Sequence, residues 1–134
     1  MTIQYTSPPD RMAFFEQVWE IVRQIPPGWV STYGRIAVLI PPPPGMSEQA
    51  YRVRGPRMVG SAMAACPANV PWQRVINAQG KVSLRQGEGG EGQRILLESE
   101  GVEFDDKDRV NLAIYIWDGP SENWLREQGL LKKS

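Results

Sequence analysis

The two side chains most often used for nucleophilic chemistry are nearly missing: the chain has one cysteine, Cys66, and no histidine. A thiol attacks as its thiolate, usually formed beside a base or a cation, and here no imidazole can assist. Cys66 is therefore expected to keep a pKa near the unperturbed ~8.5 and to act as a small buried hydrophobe. A single cysteine closes no internal disulfide, and a Cys/His metal site cannot be assembled, so neither metal nor cofactor is expected. The residues that remain suit recognition. Arg57 heads a run of small side chains, Arg57-Met58-Val59-Gly60-Ser61-Ala62-Met63-Ala64-Ala65, and Trp72 stands in the turn Pro71-Trp72-Gln73-Arg74. A guanidinium can stack and donate hydrogen bonds together. Small residues let a helix backbone come close, either to a neighbouring helix or to a DNA groove.

Charge is distributed to match. The net charge is zero, but residues 52–94 carry seven basic and two acidic side chains, whereas 95–134 carry five and nine. The middle of the chain can present a basic face suited to phosphates, or simply a solvated surface. At 134 residues, 41% of them hydrophobic and 22% charged, one domain with a real core is expected. No apolar run reaches the ~20 residues of a membrane span, and no signal peptide opens the chain. The expected compartment is cytoplasmic and nucleoid-associated in a bacterium, nuclear in a eukaryote, and not secreted.

Three helices and a turn must position these residues. Asp10 can cap a first helix in which Phe14, Val18, Ile21, Val22 and Ile25 share a face, ended by Pro26-Pro27-Gly28. Trp29-Val30 reads as extended, and Ser31 or Thr32 can cap a second helix through Tyr33, Ile36, Ala37 and Ile40. The prolines at 41–44 stop it. Residues 41–55 read as a Pro-rich exposed loop insertion. Pro56 then suits the first position of a third helix, which would place Arg57 against the helix dipole. Val75-Ile76 reads as extended, Asn77–Gly80 as a tight turn, 87–92 as a Gly/Glu loop, and 92–100 as a last helix with Ile95 and Leu96 among its apolar positions. Short segments follow at 102–104 and 110–115. The helix–loop–helix pair over 32–65 organises a mainly α chain.

Four stretches in order carry a resemblance: Val30-Ser31-Thr32-Tyr33-Gly34-Arg35-Ile36-Ala37, Arg57 to Met63, Val70-Pro71-Trp72-Gln73-Arg74-Val75-Ile76-Asn77, and Leu97-Glu98-Ser99-Glu100-Gly101-Val102. Together they resemble the DNA-binding domain of the O6-alkylguanine-DNA alkyltransferases, over about residues 12–117. The resemblance implies a single helix-turn-helix, winged-helix-like domain with short extended segments. An N-terminal extension (1–11) and a C-terminal tail (118–134) flank it. Active members carry Pro-Cys-His-Arg where this chain reads Pro-Trp-Gln-Arg, and in that respect it is similar to the alkyltransferase-like proteins. Those bind alkylated DNA without repairing it and pass the lesion to nucleotide excision repair proteins.

What the resemblance implies for single residues follows the same motifs. Arg57 stands at the finger position that fills the space left by a flipped nucleotide. Tyr33 matches the tyrosine that crowds the phosphate, and Gly60, Ser61 and Ala62 lie on the helix that enters the minor groove. Trp72, Ser83, Arg85, Tyr33 and Pro67 would form the alkylguanine pocket, with Arg85 over the base. Glu100 matches the glutamate behind the missing histidine. The implied partners are duplex DNA containing O6-alkylguanine and excision repair proteins, bound by a monomer, with no membrane. Two other classes stay open: a residual alkyltransferase using Cys66, and a sequence-specific DNA-binding regulator.

Overall fold

The computed structural model describes residues 8–82 and 90–130. Apolar spacing sets its first element. Helix α1, Pro8–Arg23, buries Phe14, Val18, Ile21 and Val22, and Ile25 follows in the turn beyond it. The helix begins before Asp10, so that residue lies inside it and is not its cap. Strand β1, Ser31–Thr32, pairs in parallel with β2, Val75–Ile76, and Val30 bridges Ile116. Thr32 also caps α2, Tyr33–Ala37: its hydroxyl accepts the Arg35 N–H at 3.2 Å. Helix α2 stops short of Ile40, and two further backbone bonds, Leu39 to Ile36 and Ile40 to Ala37, carry the chain to the prolines.

The Pro-rich loop is shorter than its composition predicts. It covers 41–47 only, because Ser47 caps α3, Glu48–Ala64, by accepting the Ala50 N–H at 3.0 Å. Pro56 does not start this helix; it sits inside it. A proline there removes the bond to the carbonyl four residues back, that of Arg52, and crowds it. Packing outweighs that loss. Gly55 lets α3 approach α2 so closely that an added Cβ would lie 3.2 Å from the Ala37 Cβ. One turn earlier the buried Tyr51 hydroxyl donates to the Ala37 carbonyl at 2.7 Å. From α1, the Trp19 indole donates to the Ala62 carbonyl at 2.8 Å.

After the 3-10 turn Trp72–Arg74 and β2 comes α4, Gly90–Ser99, which starts inside the stretch expected as a Gly/Glu loop. It buries Gln93 and Leu97, not Ile95 and Leu96, which stay exposed. Short helices α5, Leu112–Tyr115, and α6, Glu122–Glu127, complete the order. The molecule is mainly helical with a short parallel strand pair, as expected. Among the described residues no helix is long and apolar enough to cross a membrane.

Of the C-terminal tail expected over 118–134, residues 118–130 are not a mere tail. Ser121 caps α6 by accepting the Trp124 N–H, and Leu125 and Leu130 are buried in the main core with α1, α2 and α3. Residues 131–134 lie outside the described residues. Leu125→Ala should therefore cost about 2–5 kcal/mol, the range for truncating a buried leucine. Urea unfolding measures it; a variant as stable as wild type would show that α6 is dispensable to the core.

Candidate nucleic-acid interface

Helix α3 has two faces of opposite character. Tyr51, Gly55, Val59 and Ala62 are buried, while Arg57, Ser61 and Ala64 are exposed and Gly60 is half-buried. Ala62 corrects a sequence expectation: it is 0% exposed, packed in the core, and its side chain cannot reach a ligand. Gly60 does face out, and a Cβ there would meet nothing within 4 Å. Ser61 turns its hydroxyl back onto the Arg57 carbonyl at 3.3 Å. The Arg57 guanidinium is exposed, with no hydrogen bond or ion pair among the described residues.

Beside this face lies a cavity of about 80 Å³ lined by Tyr33, Gly60, Met63, Ala64, Trp72 and Gln93. Tyr33 reaches it from the start of α2, just after the Thr32 cap. Trp72 reaches it from the 3-10 turn and belongs to neither core cluster. The structure thus brings together Tyr33, Trp72 and Gly60. It leaves Pro67 out: that residue is exposed, its carbonyl accepts the Val70 N–H at 3.1 Å, and it is not in the lining. Ser83 and Arg85 lie outside the described residues. A larger cavity, about 580 Å³, lies between α2, the Pro-rich loop, α3 and Leu130, and shares none of these lining residues. Of these two the smaller is the better candidate, because it joins Tyr33 and Trp72 to the outer face of α3.

Met63, Ala64 and Gln93 escaped the sequence analysis. The first two were legible, since they follow Gly60 at three and four residues on one helix. Gln93 was masked by the apolar Ile95-Leu96 pair; its signal is the spacing of four to Leu97, the buried phase of α4.

The turn that presents Trp72 is held by polar contacts on both sides. From α4, the Gln93 amide donates to the carbonyls of Gln73 and Val75, at 3.2 and 2.9 Å. From beyond its end, Glu100 accepts the Gln73 amide at 2.9 Å and the Arg74 guanidinium at 2.7 Å, and Arg74 also donates to the Ile25 carbonyl at 2.8 Å. Arg74 is thus consumed inside the protein. The Arg74 and Glu100 side chains are each only 14% exposed. Burial alone would raise the Glu100 pKa, but hydrogen bonds from Arg74 and Gln73, the Arg74 charge and the Gly28 N–H together hold its carboxyl below the ordinary carboxylate range.

Cys66 is half-buried and not in the cavity lining. Burial pushes its thiol up, beyond what its backbone hydrogen bond and the Arg23 charge offset, so its pKa is above the ordinary value expected from sequence. A raised pKa leaves less thiolate at neutral pH. Among the described residues no group of three or more His, Cys, Asp or Glu could hold a metal ion.

The chain matches the family model described as 6-O-methylguanine DNA methyltransferase, DNA binding domain, over residues 13–102. It is 39% identical over 106 residues to the DNA base-flipping protein of Vibrio parahaemolyticus, covering 78% of this chain and 95% of that one. It is 40% identical over 111 residues to alkyltransferase-like protein 1 of Schizosaccharomyces pombe, covering 78% and 94%. Its fold is similar to the crystal structure of S. pombe Atl1 in complex with damaged DNA containing O6-carboxymethylguanine, with a TM-score of 0.62, 35% identity, and coverage of 80% of this chain and 96% of that one.

The Glu100 contacts carry a pH dependence. Its folded-state pKa lies below the unfolded one, so the ionised form stabilises the fold above the unfolded value, and that contribution is lost as pH falls through the folded value. Glu100→Gln should destabilise by about 3 kcal/mol at neutral pH, since it strands a mostly buried Arg74. The gap to wild type should narrow as pH drops below about 4.3, where the unfolded carboxylate protonates. Denaturant unfolding at neutral and acid pH tests this; a gap that stays constant would contradict the assigned role.

Proposed function

The chain belongs to the 6-O-methylguanine DNA methyltransferase DNA-binding-domain family, and from that premise we propose that it is a non-enzymatic sensor of O6-alkylguanine in duplex DNA. The observation that carries this is the cavity in which Trp72 and Tyr33 meet Gly60, on the helix that bears Arg57, whose exposed guanidinium has no partner among the described residues. Small residues on the outer face of α3 allow it into a minor groove about 6 Å wide. Reaching a base inside the stack requires flipping its nucleotide out, which costs a few kcal/mol. Arg57 fills the vacated space, its planar cation stacking on neighbouring bases while donating to them. Tyr33 crowds the phosphate and favours the rotated nucleotide. The indole of Trp72 gives the purine and its alkyl group an apolar wall, and Arg85 supplies a cation over the base.

No alkyl transfer follows in this proposal. Trp72 takes the place of the family's cysteine, and an indole cannot attack an alkyl carbon as a thiolate does. Cys66 does not rescue the reaction, because it does not line the cavity and burial raises its thiol pKa, which disfavours the thiolate. The sensor acts as a monomer and presents the lesion to nucleotide excision repair proteins. Support comes from the relatives: one is named a DNA base-flipping protein, and Atl1 was crystallised on damaged DNA.

Fluorescence anisotropy with matched duplexes, differing by one O6-methylguanine, tests the proposal. Wild type should prefer the modified duplex, and its mass should show no added methyl group afterwards. Trp72→Ala should lose about 1–3 kcal/mol of binding to the modified duplex, the scale of one base–aromatic stack. Arg57→Ala should lose the preference itself. Equal affinity of wild type for both duplexes would rule out the sensor.

A further inference from the structure

The arginines of this chain are not treated alike. Ion pairs engage Arg23, Arg74, Arg94, Arg109 and Arg126, Arg35 donates to the Trp117 carbonyl, and Arg11 lies over the Phe15 ring. Among the described residues the three guanidinium groups with no such partner, those of Arg52, Arg54 and Arg57, all belong to α3. All three are exposed. Arg54 and Arg57 are three residues apart, so like charges face each other across one turn with no carboxylate between them, an arrangement that disfavours the isolated helix. A polyanion laid along that face would relieve it.

At about 100° per residue, Arg54 lies only about 60° round the helix from Arg57, away from the buried face of Tyr51, Gly55, Val59 and Ala62. Val53, about 40° from Arg57 and one turn before it, is 74% exposed, an apolar side chain that a groove wall would cover. Arg52 is turned about 140° from Arg57 and lines the larger cavity instead. The continuous helix from Ser47 therefore carries the outer face beyond the finger, in a segment whose composition reads as loop.

We propose that duplex contact continues N-terminally along α3 past Arg57, with Arg54 binding a backbone phosphate next to the flipped nucleotide and Val53 resting against the groove wall. The inference rests on the duplex-binding proposal above and adds a sequence-independent phosphate contact to it. Such a contact strengthens lesion and undamaged duplexes alike, because every backbone offers the same phosphate.

Affinity is measured against salt for wild type, Arg54→Ala and Arg52→Ala, on both the undamaged and the O6-methylguanine duplex. Each phosphate contact contributes about 0.9 to the slope of log affinity against log salt. Arg54→Ala should lower that slope by about 1 and weaken both duplexes by the same factor, leaving any lesion preference intact. Arg52→Ala removes the same charge from the same helix and should leave the slope unchanged. An unchanged slope for Arg54→Ala, or equal losses in both variants, overturns the inference. The two proposals fail separately: absent lesion preference in wild type removes the sensor, while the Arg54 slope is still read on undamaged DNA.

Discussion

The carboxylate of Glu100 ties together segments that the chain order keeps far apart. It accepts from Gln73 and Arg74 in the 3-10 turn, and Arg74 in turn donates to the Ile25 carbonyl just beyond α1. The Gly28 N–H, in the turn between α1 and β1, also favours the ionised carboxylate. Without this anion, Arg74 would stand mostly buried and uncompensated, and the turn would lose the anchor on one side. The Gln93 amide supplies the other side. Trp72 immediately precedes the residues these two anchors hold, Gln73, Arg74 and Val75. A large aromatic side chain outside the core can hold a fixed orientation only if its backbone is held for it, and here that is done by buried polar bonds, which are directional where apolar contacts are not.

Helix α3 meets a different demand: it must pack tightly on one side and stay thin on the other. Gly55 and Ala62 serve the inner side, where α2 and Trp19 come close. Gly60, Ser61 and Ala64 serve the outer side. The small-residue run thus answers both of the uses open to it in sequence, and the division falls within the helix, residue by residue. Pro56 is tolerated because burial of Tyr51 and Val59 on either side of it fixes the helix through tertiary contacts, so one missing ladder bond does not end it.

Much of this was legible beforehand, and the misses share a physical cause. The α1 face, the Thr32 cap, the Val75-Ile76 strand and the Asn77–Gly80 turn follow from local chemistry, which sequence displays directly. Pro56 misled because local rules place proline at a helix start, while the Ser47 cap and the Tyr51 anchor decide the matter from a distance. Residues 121–130 carry few apolar side chains, yet Leu125 and Leu130 complete the main core. In the site, Tyr33, Gly60 and Trp72 were named from sequence and do converge. Gln93 and the Glu100 acceptors were not readable as a unit, because buried polar partners are chosen by geometry and carry no composition signal.

For the sensing role proposed here, the energies set where selectivity can come from. One buried methylene contributes about 0.8 kcal/mol, a factor of about four in affinity. An apolar wall such as Trp72 therefore discriminates a methylated guanine from an unmodified one only weakly by contact alone. The remainder has to arise from the flipping step, because a damaged or mispaired base is cheaper to extrude than a well-paired one. In that proposal Arg57 would act on the flipping step by occupying the stack, and Tyr33 by crowding the phosphate. In the same proposal the cavity would receive the base only after the flipping step has selected it. Such a division tolerates alkyl groups of different size, since the pocket need not align any of them with a nucleophile, whereas a transferring enzyme must hold its reacting atoms in line.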